Sequence, residues 1–145
     1  MNAKRFLQMI LRIGFALLLG YASIDKIRHP YDFAQAVTNY RVIGESLSYL
    51  VAITLPYVEL FTALCLMTGF WLSTAIWLNL ALMWMFFIMV LQAFFRGLDI
   101  HCGCFTVEGE SSIGPIKIGE NLLFALLSVL LLYLETKPLS SKEQK

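Results

Sequence analysis

The fold is decided by residues 60–95, LFTALCLMTGFWLSTAIWLNLALMWMFFIMVLQAFF, which include no Asp, Glu, Lys or Arg. A helix that crosses a bilayer needs about 20 apolar residues. This window is too long for one span, so the chain must turn back inside it. Gly69, next to Thr68, is the predicted turn, because glycine adopts turn conformations without steric cost. The window therefore predicts two antiparallel membrane-spanning helices joined by a tight turn.

Two further apolar stretches complete a set of four predicted spans, at residues 6–24, 47–70, 71–95 and 116–134. The 145 residues are 59% hydrophobic and 14% charged, whereas a soluble domain carries roughly a quarter charged residues. We expect an all-α integral membrane four-helix bundle whose partner is the lipid bilayer. It would form a single domain over residues 1–135, followed by a polar tail at 136–145. The net charge of +1 and the absence of a long basic run argue against nucleic-acid binding.

The apolar start of the chain resembles a secretory signal, but Arg12 within it and the three later spans favour a retained first helix. With four spans, the two polar connections lie on one side and both termini lie on the other. Lys and Arg outside the spans do not choose an orientation. Five lie on the termini side (Lys4, Arg5, Lys137, Lys142, Lys145) and five on the connection side (Lys26, Arg28, Arg41, Arg96, Lys117).

The first polar connection, residues 25–46, contains a helical pattern of its own. Phe33, Val37 and Tyr40 are spaced i, i+4 and i+7, and Pro30 precedes them, where proline starts helices well. This pattern predicts a short amphipathic helix on the membrane surface, between the first and second spans.

Two ionisable residues stand out deep inside the spans, and such residues usually face protein or a cavity. Arg12 lies about 10 Å into the first helix, and Glu59 lies about 15 Å from the turn at Gly69. These depths predict a buried Arg12–Glu59 pair, with Asn79 at a similar depth. The pair could form a functional polar site or only fix the helix register, and Arg12 could instead extend to the nearer interface.

The three cysteines differ in setting. Cys65 lies in an apolar helix and is predicted to be a small buried side chain. Cys102 and Cys104 lie in the second polar connection, after His101 and on either side of Gly103. A disulfide across one residue closes a small strained ring, which is easily reduced. The spacing favours a redox pair, with a metal site or an inert pair as alternatives.

Several short motifs together resemble the MauE-like branch of the DoxX-like four-helix membrane proteins. They are Arg12 in the first span, Asp25 with Pro30 and Phe33, Asn39-Tyr40-Arg41, Leu55-Pro56 with Glu59-Leu60, Cys102-Gly103-Cys104-Phe105, and Asn121 in the fourth span. Thr106 stands where the family pattern often has glycine. The resemblance implies a multi-pass protein of the bacterial inner membrane, associated with methylamine utilisation and with periplasmic disulfide chemistry.

The resemblance also implies roles for particular residues. Cys102 and Cys104 would be the catalytic redox pair on the periplasmic side, exchanging with a thioredoxin-like partner. Arg12, Glu59, Tyr40 and Arg41 would be the polar positions of the bundle. As a hypothesis beyond the resemblance, electrons would pass to or from a quinone held between the helices near Glu59 and Arg12. The alternatives are a non-enzymatic scaffold or assembly subunit, a metal-binding membrane protein and, as a weaker alternative, a small transporter.

Overall fold

The computed structural model describes residues 3–40, 44–97 and 115–136, with the side chain of residue 45 excepted. Within these ranges the chain forms five helices and no strand. They are α1 (Ala3–Arg28), α2 (Pro30–Asn39), α3 (Glu45–Thr68), α4 (Leu72–Phe95) and α5 (Pro115–Thr136).

Four of these helices, α1, α3, α4 and α5, are long and apolar enough to cross a membrane. Each contains one of the four predicted spans or nearly all of it. Large apolar side chains cover their outer faces, for example Leu17, Ile53 and Ile88, each more than half exposed. This exposure is expected of a surface that lipid solvates rather than water. The all-helical bundle and the multi-pass membrane protein inferred from the sequence are confirmed.

The four long helices pack in a ring, because α1 lies along α3, α3 along α4, α4 along α5, and α5 returns to α1. Their inner faces form one apolar core that includes Leu19, Leu66, Ile76 and Leu131. At the end that carries the termini, the Gln8 side chain of α1 donates a hydrogen bond to Glu135 of α5. This contact joins the first and last helices of the ring.

The turn between α3 and α4 lies where the sequence predicts it. Gly69 caps α3 in the left-handed region, with φ of 78°, and its backbone N–H donates to the Cys65 carbonyl at 2.9 Å. Trp71 also has positive φ, 47°. A Cβ atom at residue 69 would lie 3.0 Å from Nη2 of Arg12. The left-handed backbone angle favours glycine here, and a larger residue would also make the Arg12 side chain shift.

The short helix α2 confirms the helical pattern in the first connection, and Pro30 stands in its first turn. Its apolar face, with Phe33, Ala34 and Val37, packs on Ala52 of α3. The helix is thus held against the bundle by its buried face. Its position at the membrane surface stays a prediction.

A candidate buried polar site

A lysine–glutamate pair is enclosed in the bundle. Nζ of Lys26, near the end of α1, lies 2.6 Å from Oε1 of Glu59, in the middle of α3. Both side chains are 0% exposed. A contact this short is a charge-assisted hydrogen bond. Removing two charges from water is costly, and only close geometry with further partners compensates that cost.

Two aromatic rings supply further partners for the ammonium group. Nζ of Lys26 lies 5.1 Å from the ring centre of Phe33 on α2 and 4.8 Å from that of Phe86 on α4. A cation within about 6 Å of an aromatic ring is attracted by the negative face of the ring. Lys26 therefore connects four helices: its own α1, α3 through Glu59, and α2 and α4 through the two rings.

The sequence builds this site through the inner face of α1. Its buried residues repeat at helical spacing (Phe15, Ala16, Leu19, Ala22, Ser23, Lys26), so Lys26 continues an apolar stripe. Next to this stripe α1 and α3 approach closely: a Cβ atom built at Gly20 would lie 3.9 Å from Cβ of Ala63. Small residues allow such close packing of membrane helices. The close approach brings Lys26 and Glu59 into contact.

Three buried polar atoms, one in this pair and two on α4, have no hydrogen-bond partner among the residues the structure describes. They are Oε2 of Glu59 and both Oδ1 and Nδ2 of Asn79. The side chains of Glu59 and Asn79 are both fully buried. Asn79 is buried as its depth predicts, but its amide does not hydrogen-bond to Glu59 in this structure.

The predicted Arg12–Glu59 pair is wrong. Nε and Nη2 of Arg12 donate to the Leu66 carbonyl, at 3.3 and 3.0 Å. Gly20 of α1 lies beside Ala63 of α3. From this point of contact, Arg12 lies towards the end of the bundle that carries the termini, and Glu59 lies towards the opposite end. Their separation along the helix axes is about 18 Å at 1.5 Å per residue. Arg12 instead binds a carbonyl in the last turn of α3, where the helix dipole favours a positive charge.

Sequence reasoning missed Lys26, which it placed outside the membrane in the first polar connection. Asp25, Lys26 and Arg28 follow one another closely, and such a cluster of charges indicates the end of a membrane span. The helix in fact continues to Arg28. The spacing of Lys26 from Leu19 and Ala22 was the signal that could have placed it on the buried face.

Tyr40, another predicted polar position, is buried at the end of α2. Burial raises the pKa of the Tyr40 phenol, because the charged phenolate loses its hydration. The Tyr40 backbone carbonyl accepts a hydrogen bond from Nη1 of Arg96 at 3.3 Å. This contact holds the end of α4 against the end of α2.

Three predicted site residues, Arg41, Cys102 and Cys104, lie outside the described residues. Cys65 is buried as predicted, and its thiol is not in a disulfide. Within residues 3–40, 44–97 and 115–136, no three His, Cys, Asp or Glu side chains come together as metal ligands.

The fold and the site define a class of protein: a four-span helical membrane protein with a buried ion pair between its first and second spans. The chain belongs to a family within this class. The sequence pattern of the family described as "Methylamine utilisation protein MauE" matches residues 4–134, which is nearly the whole chain.

Two relatives carry the name methylamine utilization protein MauE. The protein from Paracoccus denitrificans is 31% identical over 120 residues, covering 82% of this chain and 64% of the relative. The protein from Methylorubrum extorquens is 35% identical over 125 residues, covering 86% of this chain and 67% of the relative. The match thus spans about two-thirds of the length of these relatives. No solved structure matches the chain significantly.

Proposed function

We propose that this protein is a membrane thiol–disulfide oxidoreductase whose Cys102/Cys104 pair exchanges with a thioredoxin-like partner. The observation that carries the proposal is the Cys102-Gly103-Cys104 pair in a chain of the MauE family. The contact between Arg96 and Tyr40 bears on where this pair lies. It holds the start of the second connection at the end of the bundle where α1 ends and α2 packs. Cys102 is five residues beyond Gly97, so the chain allows it at most roughly 18 Å from that point.

The proposed chemistry is an exchange of two electrons and two protons. A thiolate of one protein attacks the disulfide of the other, and a mixed disulfide forms. The second thiol of the attacking protein then attacks the mixed disulfide and displaces the thiol of the other protein. The attacking protein leaves as a disulfide and the other protein leaves as a dithiol. The strain of a disulfide across one residue favours this exchange, since strained disulfides are readily reduced.

A cysteine pair close to the membrane surface would favour an electron carrier that dissolves in lipid. We propose a quinone, because its reduction to quinol takes two electrons and two protons, as many as one disulfide releases when it forms. The carrier acts as the terminal oxidant when the pair oxidises its partner. No residue of the bundle is assigned to the quinone, since the structure separates Arg12 from Glu59.

The setting proposed for this reaction is the bacterial inner membrane, with the Cys102/Cys104 end facing the periplasm. Thioredoxin-like disulfide exchange persists in that oxidising compartment. Membership of the MauE family supports a role in methylamine utilisation. Kinship with the wider DoxX-like group is part of the same proposal and rests on the Arg12, Tyr40 and Glu59 positions.

The test is the thiol state of the pair in intact cells. A membrane-impermeant alkylating reagent is applied before and after mild reduction, in a Cys65→Ser variant so that only Cys102 and Cys104 react. Labelling only after reduction is the expected result, and it means an accessible disulfide outside the cytoplasm. Labelling only after lysis would place the pair in the cytoplasm and overturn both the orientation and the reaction.

Substitution separates an oxidoreductase from a scaffold subunit. Cys102→Ser and Cys104→Ser should each leave the protein in the membrane at its usual level and abolish oxidation of the partner. Cys65→Ser is the matched control, because Cys65 is buried near the end of α3, and it should retain activity. Full activity of the doubly substituted protein would instead identify a scaffold.

A further inference from the structure

We propose that the interior between α3 and α4 holds bound water that hydrogen-bonds both Oε2 of Glu59 and the amide of Asn79. These are the side chains whose three polar atoms are buried without a partner among the described residues. A buried polar atom that is left without a partner destabilises a protein, and native structures satisfy nearly all such atoms with protein or ordered water. The inference does not depend on the proposed redox function.

The two side chains lie at nearly the same depth. Glu59 is about 15 Å before the turn at Gly69, and Asn79 is about 12 Å after Trp71, at 1.5 Å per residue. Both are fully buried on adjacent antiparallel helices. The Glu59 side chain extends away from this turn and the Asn79 side chain extends towards it, because helical side chains point towards the N-terminus. Their polar ends are therefore further apart than their backbones, and a short chain of water molecules between the helices is needed to join them.

No side chain among the described residues provides the missing partners, and buried polar side chains of α3 and α5 hydrogen-bond within their own helices. The Thr62 hydroxyl donates to the Val58 carbonyl at 2.7 Å. On α5, the Asn121 amide donates to the Lys117 carbonyl at 2.9 Å. A donor for Oε2 of Glu59 must therefore come from a molecule that is not part of these side chains.

The charges around the site favour a neutral guest. Oε1 of Glu59 already contacts the ammonium group of Lys26 at 2.6 Å, so a second cation would be repelled by Lys26. An anion would be repelled by the carboxylate. Asn79 needs both a donor and an acceptor, and Oε2 needs a donor. Water offers two of each and satisfies two to four polar groups when buried.

Met83 provides a probe within the protein. It lies four residues after Asn79 on the buried face of α4 and is 1% exposed. Side chains in helices point towards the N-terminus, so the Met83 side chain extends towards Asn79. Radiolysis of water produces hydroxyl radicals that oxidise methionine next to the water. Brief X-ray irradiation of the purified protein, followed by mass spectrometry, therefore reports water at this site.

We expect Met83 to be oxidised in the wild-type protein despite its burial. Asn79→Leu should remove most of this oxidation, because it replaces the amide by an apolar side chain. Asn79→Ser is the matched control and should retain it, because a hydroxyl group still binds water. The melting temperature gives a second measurement. If water is bound, Asn79→Leu removes one of its hydrogen-bond partners, and the variant should melt at a lower temperature than the wild type. If the site is dry, the variant should melt at a higher temperature.

The inference is overturned if Met83 stays unmodified in the wild-type protein while the more exposed Met67 is oxidised in the same sample. Unchanged Met83 oxidation in a folded Asn79→Leu variant also contradicts it, since the water would then not depend on Asn79. If Asn79→Leu does not fold, the wild-type measurement decides alone.

Discussion

Loss of one partner of the Lys26–Glu59 pair should destabilise the protein far more than loss of both. In Lys26→Met a buried carboxylate remains without its 2.6 Å partner, and in Glu59→Met a buried ammonium remains. Breaking a buried pair in this way costs about 3–5 kcal/mol. Methionine is chosen because its unbranched apolar side chain adapts to irregular space.

The double variant, Lys26→Met with Glu59→Met, should be more stable than either single variant. Replacing a buried ion pair by apolar residues of similar volume is often neutral or stabilising. Lys26 also loses its two ring contacts in the double variant, at about 0.5–2 kcal/mol each. The two ring contacts together contribute about 1–4 kcal/mol, and removing the buried pair gains up to about 4 kcal/mol. Because these effects oppose each other, we expect the double variant to lie within about 2 kcal/mol of the wild type.

The assay is the unfolding of the purified protein in mixed micelles of increasing SDS content, followed by tryptophan fluorescence. The matched control is Lys117→Met, which removes one partner of the Lys117–Glu120 pair. That pair has a 3.0 Å contact, but its side chains are 30% and 45% exposed. An exposed pair contributes less than about 1 kcal/mol. A double variant whose destabilisation equals the sum of the two single variants would refute the reasoning.

Other predictions concern the hairpin and the end of α2. Arg12→Gln removes the charged donor from the Leu66 carbonyl and should cost about 1–2 kcal/mol in the same unfolding assay. Gly69→Ala should cost about 1 kcal/mol or more, because φ is 78° and Arg12 is close. Gly119→Ala, in open space within α5, should be neutral or stabilising. Burial raises the pKa of the Tyr40 phenol, so wild-type stability should be complete below about pH 10 and fall above it. Tyr40→Phe should make the loss of stability above about pH 10 smaller. The same loss in the variant as in the wild type would contradict this prediction.

The spans could be predicted because lipid imposes a strong local constraint. A charge-free apolar stretch of about 20 residues must form a helix in the bilayer. Residues 60–95 are too long for one such helix, so a turn must divide them, and Gly69 is the residue in this stretch that favours a turn. The α2 helix could be predicted as well, because Pro30 and the spacing of Phe33 and Val37 act within one short segment.

The partner of Glu59 could not be predicted, because it depends on how α1 is placed along α3. That placement rests on the close approach of Gly20 and Ala63, which lie far apart in the sequence. The depth of each residue from its helix end predicts Arg12 as the partner of Glu59. The way α1 packs along α3 makes Lys26 the partner instead. The predicted roles of Arg41, Cys102 and Cys104 lie outside the described residues and stay predictions.

The Lys26–Glu59 pair also has a consequence for the biogenesis of the protein. Lys26 emerges from the ribosome before Glu59, which follows 33 positions later. Lys26 lies near the end of its helix, so until then its amine can extend to the lipid headgroups. Glu59 lies in the middle of α3, where a lone charge costs about 2.5–3.5 kcal/mol to insert. Entry of the second span into the bilayer is therefore favoured when the first is already present, so the order of synthesis supplies the counter-ion before it is required.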